Sequence, residues 1–180
     1  MGVAVAGEPL SDLERAAPGR YAGLPELRTA RLALLHQACQ LGAQRILALD
    51  TDFVDWPLSD AGLLDALSSW GRGSQRRLEL LAPDFLQAER RHARLRQWRM
   101  HWDHLLKIGS FEPGEAGSNW PTSTLVVVGG QGAAVLQVLD FEHHRFTISR
   151  QPADRQVALE VFDAIAQRST PAWALSTLGL

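Results

Sequence analysis

A single cysteine, Cys39, stands in the 180 residues. One cysteine forms neither an internal disulfide nor a cysteine-based metal site, which fits a reducing compartment and excludes zinc ribbons and thioredoxin-like chemistry. Cys39 lies among apolar helical positions, where an inert buried thiol is expected rather than a nucleophile. No apolar run approaches the roughly 20 residues that a membrane-spanning helix needs. The start, Met1-Gly2-Val3-Ala4-Val5-Ala6-Gly7, lacks a basic segment before its short apolar stretch, and Ala6 stands where a myristoylation motif needs Ser or Thr. A cytoplasmic protein with no membrane partner is the expectation. With 46% hydrophobic and 21% charged residues, the composition excludes collagen-like, disordered and coiled-coil chains.

Lysine is almost missing as well. Lys107 is alone beside seventeen arginines, a bias that suits planar recognition of phosphate or carboxylate and that a GC-rich genome would also produce. The formal charge is −2, yet residues 71–107 hold nine basic and four acidic side chains, a local +5, and the remainder carries −7. Residues 1–22, rich in Ala, Gly and Pro, are expected to form a loosely ordered arm, and 23–180 one domain.

Within that domain Leu24 to Leu41 shows two apolar faces, Leu27/Leu34/Ala38/Leu41 and Leu32/Leu35/Cys39, as in a helix packed on two sides and closed by Gly42. Arg45–Leu49 reads as a strand buried on both faces. Ser59 or Asp60 caps a helix carrying Leu63, Leu64, Leu67 and Trp70, ended by Gly71. A second strand, Arg77–Leu81, precedes a long helix from Leu86 to Lys107, and 109–121 is expected to be loop. Strands at 124–128, 133–139 and 145–149 joined by short turns, then a helix over 154–167, complete the chain. The expected fold is α/β, with a mixed sheet of about five strands covered by helices.

Three features carry chemistry. Asp50 and Asp52 follow one strand and Asp84 the next, so the three acids would meet outside the carboxyl ends of parallel strands. Asp50-x-Asp52 resembles the first motif of haloacid dehalogenase-like phosphatases, where a carboxylate attacks phosphate beside magnesium; Phe53 and Val54 depart from the small residues usual there. The competing account is that Asp50 and Asp84 cap turns and helices. Second, Arg90, Arg94, Gln97, His101 and His104 project within about 40° of one direction at about 100° per residue, an anion-binding surface for a phosphate-bearing ligand or a nucleic-acid backbone. Its plain alternative is a solvated helix edge. His101 and His104 lack an evident third metal ligand. Third, Trp56, Trp120 and Trp173 fall in loops or near the end, and the apolar stretch from Pro171 would dock on a partner. Gly129-Gly130-Gln131-Gly132 lacks the Lys-Ser/Thr of a phosphate loop and suits a hairpin turn. Neither a cofactor motif nor a nucleophile elbow is present.

The element order resembles half of a phospholipase D-like domain, and Thr122-Ser123-Thr124-Leu125-Val126-Val127-Val128-Gly129-Gly130 stands where that family carries His-x-Lys-x4-Asp-Gly. Across residues 30–168 the resemblance puts Thr122 at the nucleophilic histidine, Thr124 at the lysine and Gly129 at the aspartate; the later Gly-Ser-x-Asn is missing too, with Ala133, Val135, Leu136 and Gln137 in the strand that follows. It implies a catalytically dead relative that pairs as a homodimer.

Overall fold

The computed structural model describes residues 12–116 and 123–175. A short helix α1 (Asp12–Arg15) and strand β1 (Gly19–Ala22) lead into α2 (Leu24–Gln40), β2 (Arg45–Leu49), α3 (Ala61–Gly71) and β3 (Arg77–Ala82). Helices α4 (Leu86–Arg91) and α5 (Ala93–Trp102) run through a 3-10 turn, Asp103–Leu105, into β4 (Leu106–Ser110). Strands β5 (Thr124–Val128), β6 (Ala134–Asp140) and β7 (Arg145–Ser149), helix α6 (Pro152–Ala166) and the two-residue β8 (Thr170–Pro171) follow. One mixed sheet of eight strands, in the order β1-β7-β6-β5-β2-β3-β4-β8, joins them. Strands β2, β3 and β4 are parallel, and every other pairing is antiparallel.

The alternation of β2 shows how the layers form. Ile46 and Ala48 face a core shared with α2, α3 and α5, while Leu47 and Leu49 face a smaller core under α6. Each fully buried aliphatic side chain here contributes about 1.5–3 kcal/mol. Helix α2 starts after Gly23 at φ 111, has Pro25 in its first turn, and buries Leu27, Leu34, Leu35 and Ala38. Asp60 caps α3, its carboxylate accepting from the Leu63 amide at 2.8 Å.

Three expectations need correction. The sheet has eight strands, not about five, because β1, β4 and β8 find their partners only in the folded chain. Part of the expected arm is ordered: Gly19–Ala22 pairs with β7, and Tyr21 stacks on Phe146 at 5.3 Å between ring centres. The helix expected over 86–107 breaks at His92 (φ −103, ψ 56) and gives way to β4, which carries Lys107 exposed between buried Leu106 and Ile108 and extends into the expected loop. No helix of the described residues is long and apolar enough to cross a membrane.

Candidate functional site

The carboxyl ends of β2 and β3 lie side by side, and Asp50 sits just past the first. It is only 3% exposed. Its Oδ2 accepts from the amides of Asp52 (3.4 Å) and Phe53 (2.9 Å), which holds the turn that puts Phe53 at φ 58. Its Oδ1 makes no hydrogen bond and faces Arg31 Nη2 at 3.6 Å. Arg31, from α2, is itself 2% exposed, donates to Ser123 Oγ at 2.6 Å, and stacks its guanidinium 4.4 Å from the centre of a Trp56 ring. Burial pushes the Arg31 pKa down to about 10, against the opposing pull of Asp50 and Asp55, so the group stays charged at neutral pH. This cation is already neutralised from within. At the rim, Arg28 pairs with Asp55.

The three acids do not form one metal-binding set. Asp52 Oδ1 accepts from the Val54 amide at 2.9 Å. Asp84 is exposed, accepts from the Leu86 amide at 3.0 Å in the turn that leads into α4, and lines a cavity of about 250 Å³ with Glu89, Ser110 and Trp173. Among the described residues no group of three His, Cys, Asp or Glu side chains is placed to hold a metal ion. Asp50 and Asp84 each accept from backbone amides of the turn that follows their strand, because unpaired amides at those strand ends need acceptors.

The basic edge is also rearranged. His92 is buried, with Nε2 2.8 Å from the Phe53 carbonyl, and Arg91 Nε donates to the Val54 carbonyl at 3.1 Å. These bonds tie the α4–α5 junction to the Asp50 turn and split the expected stripe. Arg90 now belongs to α4, Arg94 and His101 to α5, and His104 to the 3-10 turn, where its ring tilts over Trp102. All four stand exposed. Among the described residues no carboxylate pairs with Arg90 or Arg94.

The loop tryptophans fold inward. Trp56 is buried beneath Arg31. Trp173 is buried against Phe85 and under Arg99, whose Nη1 donates to the Trp173 carbonyl at 2.7 Å. Trp173 therefore packs on its own chain, while Pro171 and Ala174 remain exposed; Trp120 and residues 176–180 lie outside the described residues. Burial pushes the Cys39 thiol up to about 12, which keeps it protonated and unreactive.

The site that sequence reasoning missed lies on the other face of the sheet. A cavity of about 560 Å³ opens between α6 and the strands β5, β6, β7 and β1. Thr124 is in its wall, 4% exposed, with Oγ1 lacking a partner. Leaving such a hydroxyl unsatisfied costs about 1–3 kcal/mol. Of the positions where the phospholipase D-like pattern would put catalytic groups, Thr122 lies outside the described residues, Thr124 faces this cavity, and Gly129 occupies a left-handed turn at φ 83. Among the described residues that line the cavity there is no His, Lys or Cys. No family model, curated protein or solved structure matches the chain.

Proposed function

We propose that the chain is a catalytically inactive phospholipase D-like module that binds a phosphate-bearing polyanion, such as a nucleic-acid backbone, through the arginine surface of α4 and α5. The observation that carries the reading is the exposure of Arg90 and Arg94 without carboxylate partners, in a segment of net +5. Buried Arg31 is spent on Asp50 and is not part of that surface. The run α2-β2-α3-β3-α4-α5, followed after β4 by the hairpins β5-β6-β7 and the helix α6, supports the family likeness. Threonine and glycine in place of lysine and aspartate support inactivity, since neither can stabilise a phosphate or move a proton as those groups do. Pairing with a second copy in the cytoplasm belongs to the same reading.

Titration of a short DNA duplex at several salt concentrations tests it. Binding should weaken steeply with salt, and the double change Arg90→Gln/Arg94→Gln should lower affinity and reduce the log–log slope by about 1.8, about 0.9 per lost phosphate contact. Salt-insensitive association, or binding unchanged in that variant, would sink the polyanion reading and favour a protein partner. Hydrolysis of an activated phosphodiester should not exceed that of Thr124→Ala.

A further inference from the structure

The register of the sheet places one rung of side chains across four neighbouring strands. Thr124 of β5 pairs with Gln137 of β6, Gln137 with Thr147 of β7, and Thr147 with Arg20 of β1. Paired residues in antiparallel strands project from the same face, and all four line the cavity beneath α6. Towards the centre the same rung continues as Leu49 and Leu81, which are sealed in the smaller core. The polar part begins at β5 and runs outward beneath α6 to the edge strand β1. Among the described residues none of the four polar side chains has a hydrogen-bond or ion-pair partner, and the Thr124 hydroxyl is buried as well. Of the four only the Thr124 hydroxyl is buried without a partner, which is unusual because native structures satisfy nearly all such groups; Gln137 and Thr147 are half-buried and Arg20 is exposed, so their polar atoms are open to a ligand or to water.

The opposite wall is a single helical stripe, Asp154, Val157, Ala158 and Val161, so the cavity is polar on its floor and largely apolar on its roof. Val157 is 63% exposed, which leaves the side of the cavity open for entry. The charges at the mouth are Arg20 and Asp154. Asp154 is held by Ser149 Oγ at 2.5 Å, whereas the fork of Arg20 is unspent. A single arginine fork can neutralise one anionic charge, and the nearby Asp154 carboxylate repels a doubly charged phosphate about twice as strongly as a singly charged carboxylate, so the balance favours the monocarboxylate.

We infer that this cavity binds a small organic monocarboxylate: its carboxylate on Arg20, hydroxyl or carbonyl oxygens along Thr147, Gln137 and Thr124, and its apolar side against Val157, Ala158 and Val161. Three strand spacings of about 4.8 Å set its reach. The inference is independent of the polyanion surface, which lies on the helices of the other face.

The test titrates the purified chain with ω-hydroxy straight-chain carboxylates of about four to ten carbons, lengths that cover one to three strand spacings. The corresponding primary amides and inorganic phosphate serve as controls. Thermal unfolding and calorimetry give the readouts. At least one acid should raise the unfolding midpoint and bind at least tenfold more tightly than its amide. Arg20→Gln, on an exposed edge, should lose at least tenfold of that affinity, and the near-isosteric Thr124→Val should lose several-fold while both variants stay folded. Arg90→Gln/Arg94→Gln should bind the acid normally, which separates failure of this site from failure of the polyanion surface. Overturning results are the absence of binding by every acid at millimolar concentration, equal binding of acid and amide, equal stabilisation by phosphate, or indifference to Arg20→Gln and Thr124→Val.

Discussion

Arg31 and Asp50 hold opposite charges where water does not reach them, so each depends on the other. Removing one partner leaves an uncompensated buried charge. Arg31→Met should therefore lower the unfolding free energy by about 3–5 kcal/mol in urea titrations, while Arg31→Met/Asp50→Asn should recover part of the loss, since the asparagine oxygen still accepts from the Phe53 amide and no uncompensated charge stays buried. Equal losses in the single and double variants would refute the coupling. His92 gives a pH-dependent counterpart. The Phe53 carbonyl only accepts, so Nε2 carries the proton and Nδ1 is left buried without a partner. Burial holds the His92 pKa below its ordinary 6.5. Above that pH both folded and unfolded forms are neutral and His92 adds no pH dependence. As pH falls through 6.5 the unfolded chain takes up the proton first, so stability declines towards the lower folded value. Between pH 7 and pH 5, His92→Gln should flatten the stability profile relative to the parent chain; an unchanged slope would assign the acid sensitivity elsewhere.

The same histidine explains the largest departure at the level of elements. Leu95, Trp98, Trp102 and Leu105 have helical spacing; the first three fall in α5 and Leu105 ends the 3-10 turn that follows it. Its extension in both directions fails for separate reasons. At His92 the backbone leaves helical geometry so that the ring can reach the Phe53 carbonyl, and from Leu106 the alternation of buried and exposed residues is met by parallel pairing with β3. Caps, by contrast, are local. Asp60→Ala should cost about 1 kcal/mol through loss of the bond to the Leu63 amide, measured by denaturant unfolding. The hairpin between β5 and β6 is less forgiving. Gly130 has φ 70, and a Cβ there would lie 2.5 Å from the Leu41 carbonyl oxygen at the end of α2. Gly130→Ala combines left-handed strain of about 1–3 kcal/mol with that clash, so it should destabilise more than Asp60→Ala in the same assay.

For the whole molecule, β1 is the outermost strand on one side, and it covers the backbone edge of β7. It also supplies Arg20 to the rung and Tyr21 to the stack on Phe146. Removing residues 1–22 should lower the thermal midpoint by several degrees, on the scale of about 4–8 °C for each kcal/mol in a domain near 100 residues and less in a larger one. It should also increase self-association by light scattering, because an uncovered strand edge is a template for pairing. A truncated chain that stays monodisperse and equally stable would show that β1 contributes neither.

Local periodicity alone locates β2, β5 and β7 at their observed ends, and finds β3, β6, α2, α3 and α6 to within a residue or two. That success reflects patterns of two and of about 3.6 residues, which are written into consecutive positions. The pairing partners are not. Strand β1 reads as part of a loosely ordered arm rich in Ala, Gly and Pro, β4 as the end of a helix, and β8 as part of a tail, because each is stabilised by hydrogen bonds to strands far away in sequence. The candidate site follows the same division. Asp50 and Asp84 are visible as strand-end acids, but whether a carboxylate is free or committed depends on neighbours such as Arg31, 19 positions away. The rung of Thr124, Gln137, Thr147 and Arg20 exists only once four strands are in register, since no local pattern links residues separated by up to 127 positions.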